Sequence, residues 1–138
     1  MALGEQVGES SGKITGTRVL TPVGGEQQVH MEVSCQGSGN LLEEEITATV
    51  TYVQGVRPGG VFYGEGDALW ITSDGESAHF AGFGVGTPTG GFLAGHFAVC
   101  GSVQTASEKL ARLNSVAIVA EYDVDEDGSY RWTLWEWK

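Results

Sequence analysis

Eight stretches of β-type sequence, each closed by a turn rich in Gly, Pro or Asp, leave this 138-residue chain few folds to choose from. Val, Ile, Thr and aromatic residues fill them, the composition that suits a pleated, half-buried surface. They run over residues 13–21, 27–36, 42–54, 61–73, 76–86, 92–103, 115–125 and 130–137. Eight strands are enough to close a sheet into a barrel that holds one small molecule. The expected fold is therefore all-β: an eight-stranded, mainly antiparallel, calycin-like barrel forming a single domain over residues 12–138. Residues 1–11, polar and glycine-bearing, are expected as a flexible N-terminal arm.

One stretch breaks the β pattern. Thr105 followed by Glu108 has capping-box spacing, and the residues through Leu113 are good helix formers. A short helix over 105–113 is expected, with Leu110 and Leu113 packing on a barrel end.

Charge narrows the partners. Seven basic against eighteen acidic side chains give a formal charge of −11, which repels phosphate backbones and anionic lipid. Nucleic acid and membrane are therefore excluded as partners. Residues 1–12 lack the basic start and apolar middle of a signal peptide, and no apolar run reaches a membrane span. Cys35 and Cys100 have no CxxC spacing, so two buried thiols in a reducing cytoplasm are expected.

Asp74-Gly75 reads as a two-residue hairpin, which places Ser73 opposite Glu76. Alternation then puts Glu65, Asp67, Leu69, Ile71, Ala78 and Phe80 on one face, and Trp70, His79 and Phe83 on the other. A four-residue turn at 87–90 adds Leu93, Phe97 and Val99 to the first face, and His96 and Cys100 to the second. The first face is the more continuous apolar surface and is read as the lumen, although the inverse assignment stays open. The second face, with Trp70, His79, Phe83, Phe92 and His96, is too apolar for a free surface, so a homo-oligomer, dimer or trimer, is expected.

Tyr63-Gly64-Glu65-Gly66, Asp74-Gly75-Glu76, the run from Gln104 to Asn114, the run from Glu121 to Gly128, and Leu134-Trp135-Glu136-Trp137-Lys138 resemble a set of small bacterial and archaeal proteins of uncharacterised function. Their barrel is similar to that of allene oxide cyclase and the dirigent proteins. The resemblance spans roughly residues 12–138 and implies the fold more strongly than a reaction. Barrels of this kind include cyclases that use no cofactor. The walls differ from that pattern at Asp67, His79, Ala81, Phe83 and over residues 94–100.

These readings converge on a cyclase or isomerase without cofactor, acting on a small hydrophobic molecule of polyketide, terpenoid or lipid type. Glu65, Asp67, Glu121 and Tyr52 are the candidate catalytic residues. Two carboxylates on one face of a buried strand repel, and one can then hold a proton for acid work; a solvated rim is the other reading. A phenol can donate to a ligand carbonyl. Leu69, Ile71, Phe80, Leu93, Phe97, Val99 and Trp132 are the expected substrate-binding wall. Glu136 either lines the lumen or pairs with Lys138, Arg112 or Arg131. His79 and His96 can approach each other but lack a third ligand, so no metal is expected. Two other classes stay open: a carrier barrel without chemistry, and a filled barrel serving as an interaction module.

Overall fold

The structure, a computed structural model, describes residues 3–26 and 28–138. The strands β1 (Leu3–Val19), β2 (His30–Leu41), β3 (Glu44–Arg57), β4 (Val61–Thr72), β5 (Ser77–Pro88), β6 (Gly95–Thr105), β7 (Ala117–Val124) and β8 (Ser129–Trp137) follow one another round a closed barrel. Every pair is antiparallel, and β1 closes the ring by pairing with β8 as well as β2. Closure leaves no sheet edge to protect. The expected all-β, eight-stranded barrel is what the chain forms.

Residues 3–11 are not a loose arm; they are the first half of β1. Their polarity hid a strand whose inward positions are small. Val7 and Ser10 are buried, and large neighbours reach over them. A side chain at Gly8 would crowd Leu41, and Ser10 Oγ lies 3.5 Å from the Tyr130 hydroxyl. The expected start of the second strand at Gln27 lies outside the described residues; β2 begins at His30.

The β4–β5 hairpin corrects the register. Ile71 pairs with Ser77 and Trp70 with Ala78, one residue away from the expected alignment. Thr72 donates its N–H to Glu76, and Gly75 donates to Thr72, so three residues form the loop. Gly75 takes φ +88°, the left-handed conformation that completes such a loop. A one-residue slip turns a whole strand over. Glu65, Asp67, Leu69 and Ile71 therefore point outward, while Ala68 and Trp70 are each 1 % exposed in the core. The faces of β5 and β6 are as expected, although six residues, 89–94, join them.

The expected short helix over 105–113 is present only as a lone 3-10 turn, displaced to Ala111–Ser115. β6 runs on to Thr105, which pairs with Ala78, and Asn114 clamps the same residue with two hydrogen bonds of 2.8 and 3.0 Å. The residues that follow Thr105 form turns before the 3-10 segment. Leu110 and Leu113 are nonetheless fully buried against the core, as their spacing implied.

Candidate functional site

Aromatic rings fill most of the lumen. Trp70 and Phe80 meet at 5.7 Å, and both contact Trp132, at 5.6 and 5.1 Å. Trp132 touches Tyr122, which in turn contacts Tyr52, Phe97 and Tyr130. Phe97 stacks on Phe62. Glycines in the wall make room for this cluster: a side chain at Gly82 or Gly101 would collide with the Phe80 ring.

Between these rings and the facing pairs Gly64–Gly84 and Gly66–Gly82 lies a cavity of about 60 Å³. Val50, Tyr52, Phe80, Phe97, Val99, Tyr122 and Trp132 line it. Its polar atoms are few but directed. The Tyr122 hydroxyl donates to the Tyr52 oxygen at 3.3 Å, so the Cys35 thiol, 3.4 Å away, donates to Tyr122. The Tyr52 proton is left over, available to whatever occupies the cavity. Trp132 Nε1–H has no acceptor among the described residues, although the residue is only 4 % exposed. Burial raises the pKa of both phenols and of the Cys35 thiol, so all three stay neutral at ordinary pH. Gln54, fully buried on the inner side of β3, also lacks partners for both amide atoms.

The structure divides the candidate residues. Tyr52, Phe80, Phe97, Val99 and Trp132 come together around the cavity. Glu65 and Asp67 border it only through the strand that carries them, and their side chains stand outside. Glu65 accepts from the Tyr63 hydroxyl at 2.7 Å, and Asp67 lies 2.7 Å from His79 Nε2. Glu121 is exposed on the outer face of β7, and Leu69 and Ile71 are 43 % and 39 % exposed. Leu93 is buried, but in the β5–β6 connection away from the cavity. Buried Glu136 pairs with Arg112 and, at 3.6 Å, with Lys138.

The histidines do not meet. His79 lies opposite Gln104 and His96 opposite Thr87, eight residues apart along β6, and His96 contacts Asp123 at 2.6 Å. Among the described residues no group of three or more His, Cys, Asp or Glu side chains is placed to hold a metal ion. Cys35 is buried as expected, but Cys100 is exposed. None of the helical segments among the described residues is long and apolar enough to cross a membrane.

Sequence reasoning missed a second site on the outer wall. Glu26, His30, Arg57, Tyr63 and Glu65 share a polar groove bordered by residues 23–26, which follow β1. The placement of those residues against β3 has no signal in the sequence beyond Gly55, a gap in the outer row.

No family model matches the chain, and no curated protein matches it. Solved structures do. A conserved protein of unknown function from Rhodopseudomonas palustris superposes with a TM-score of 0.80 at 12 % identity, covering 99 % of this chain and 98 % of that one. A protein of unknown function from Clostridium acetobutylicum gives 0.81 at 12 %, covering 96 % of each chain. A β-barrel-like protein from Acinetobacter baumannii gives 0.80 at 13 %, covering 99 % and 96 %. The fold is that of these small uncharacterised barrels.

Proposed function

We propose that this is a small-molecule-binding barrel whose cavity takes one compact, uncharged molecule carrying an oxygen acceptor. The observation that carries this reading is the cavity itself, lined by Tyr52 with its free phenolic proton and by Trp132, whose buried Nε1–H has no acceptor among the described residues. A buried donor without an acceptor costs about 1–3 kcal/mol, which a ligand oxygen would return. A cavity of about 60 Å³ suits a few heavy atoms, well below the roughly 300–1,000 Å³ of sites for drug-sized ligands. A long polyketide, terpenoid or acyl chain would need the ring cluster to move.

Cyclase or isomerase chemistry of the allene oxide cyclase kind is less well supported than binding. The neutral phenols of Tyr52 and Tyr122 can polarise a carbonyl. Among the described residues the candidate bases Glu65, Asp67 and Glu121 face outward, away from these phenols. A reducing cytoplasm suits the two free thiols.

The test is a titration of the four indole N–H resonances with short ketones, ethers and alcohols, beside long-chain fatty acids. A saturable shift of one resonance, assigned through Trp132→Phe and weakened by Tyr52→Phe, is the expected result. A response to the long chains alone, or to nothing in the panel, overturns the reading.

Self-association is a second reading, carried by the outer wall of β5–β8. Ala81, Phe83, Val85, Ala98, Cys100, Ser102, Ala117, Val119, Thr133, Trp135 and Trp137 point outward there around a single carboxylate, Glu121, which lies between Ala98 and Thr133, in a chain with 25 charged side chains. Phe83 is 51 % and Trp137 43 % exposed. Depletion of charge around aromatic residues is the signature of an interface centre. Phe83→Glu should convert a homo-oligomer into a 14.6 kDa monomer in light scattering. A wild-type protein already monomeric across micromolar concentrations would refute it.

A further inference from the structure

Residues 23–26, which follow β1, border an outer groove of about 560 Å³ against β3 and β4. Gly55 is its floor, between His30 on β2 and Tyr63 on β4. A side chain at 55 would overlap the Glu26 carboxylate, so glycine is what lets Glu26 lie in the groove. The side chains of His30 and Glu26 are only 12 % and 18 % exposed.

The polar groups here are oriented yet unmatched. His30 Nδ1 lies 2.5 Å from the Thr21 carbonyl oxygen, a contact that requires the proton on Nδ1. His30 Nε2 then turns toward Glu26 at 4.0 Å, too far for a hydrogen bond. On the opposite side, the Arg57 guanidinium lies on the Tyr63 ring, 3.6 Å from its centroid. Stacking uses the face of the guanidinium, and part of its edge hydrogen-bonds the Tyr63 hydroxyl, which in turn donates to Glu65; the remaining N–H groups are available to a planar acceptor. Arg57 forms no ion pair among the described residues, although the chain carries eighteen carboxylates.

One glycine floor thus separates a sheltered carboxylate and an unpaired guanidinium that do not neutralise each other. We propose that this groove binds a small zwitterion of the amino-acid type. Its ammonium group sits between Glu26 and His30 Nε2, its carboxylate on the Arg57 edge, and its carbon skeleton against Val23, Val53 and Pro58. The volume is that of a small-molecule site. A ligand of zero net charge also escapes the repulsion that a chain of charge −11 exerts on anions. This site lies outside the barrel and stands independently of the lumen.

Calorimetry on the intact chain tests it, using a panel of α- and ω-amino acids beside their N-acetyl and methyl-ester forms. Saturable binding of the zwitterions is expected, with each blocked form at least about ten-fold weaker, or ~1.4 kcal/mol per lost charge contact. Arg57→Gln should erase the preference over the ester, and Glu26→Gln the preference over the N-acetyl form. Both should keep the wild-type circular dichroism spectrum. The proposal fails if no zwitterion binds at millimolar concentration, if blocked forms bind as tightly as their parents, or if the two variants bind as the wild type does. Trp132→Phe should leave this binding unchanged, which separates its fate from that of the lumen reading.

Discussion

Phe80 and the two glycines beside it share one place in the barrel wall. The ring lies against Gly82 and Gly101, which face each other across β5 and β6, and it also meets Trp70 and Trp132. Phe80→Ala should cost about 3–5 kcal/mol through lost burial and the cavity left behind. Gly101→Ala should cost about 1–3 kcal/mol, because the added methyl collides with both the Ala81 carbonyl and the Phe80 ring. The double variant should be more stable than the sum of the two losses implies, since truncating the ring relieves the part of the Gly101 penalty that falls on it, while the clash with the Ala81 carbonyl remains. Urea unfolding followed by tryptophan fluorescence measures all three. Simple additivity would mean that the ring and glycine are not in contact. Asp74 supplies a pH-dependent counterpart at the surface. Hydrogen bonds from Lys109 and Thr72 lower its pKa from 3.8 to about 2. A depressed carboxylate pKa contributes stability above pH 3.8 that is lost as pH falls toward about 2. Asp74→Asn should therefore be less stable than wild type near neutrality, and the gap should close over that window in urea melts. A gap independent of pH would remove the ion pair from the account.

The β4–β5 hairpin sets which way a whole strand faces. Its loop has three residues, Ser73, Asp74 and Gly75, with Gly75 at positive φ. Deleting Ser73 would impose a two-residue loop and invert β4, driving Glu65 and Asp67 inward and Trp70 outward. Such a variant should lose cooperative unfolding and bind a hydrophobic dye. A native-like melt would show that the turn does not dictate register. This hairpin also marks how far the sequence can be read. Strand-forming composition and turn residues locate all eight strands, the first only in its second half, and the all-β barrel. They could not distinguish a two- from a three-residue loop at Asp74-Gly75, because both use the same dipeptide. That single ambiguity moved Glu65, Asp67, Leu69 and Ile71 to the wrong side, while Phe80, Phe97, Val99, Tyr52 and Trp132 were placed correctly. The N-terminal half of β1 was illegible for a different reason. Its inward residues are small because Leu41 and Tyr130 fill the space from neighbouring strands, a fact of packing rather than of local pattern. The capping-box pattern at Thr105 misled because β6 pairing and the Asn114 clamp claimed the residue first.

At the scale of the whole molecule, a closed barrel makes its tyrosines reporters of one cooperative event. The chain has four tyrosines. Tyr52, Tyr122 and Tyr130 have raised pKa values, chiefly because burial disfavours the phenolate. Tyr63 is raised as well, chiefly through its hydrogen bond to Glu65, but it sits on the outer wall. Each folded phenol thus holds its proton more tightly than its unfolded counterpart, whose value lies near 10. Above that pH the unfolded chain releases protons that the barrel retains, so stability must fall as pH rises. Phenolate absorbance should consequently appear in two parts. Tyr63 should titrate first and alone, and Tyr63→Phe should remove that component. The other three should ionise together, in one step coincident with loss of the near-ultraviolet circular dichroism of the packed rings. Tyr122 contacts Tyr52, Phe97, Tyr130 and Trp132, so the lumen cannot admit hydroxide to one phenol without disturbing the rest. Three independent titrations with midpoints near 10, in a protein whose dichroism is unchanged, would show a water-filled lumen. That outcome would also remove the reason for assigning the cavity an uncharged ligand.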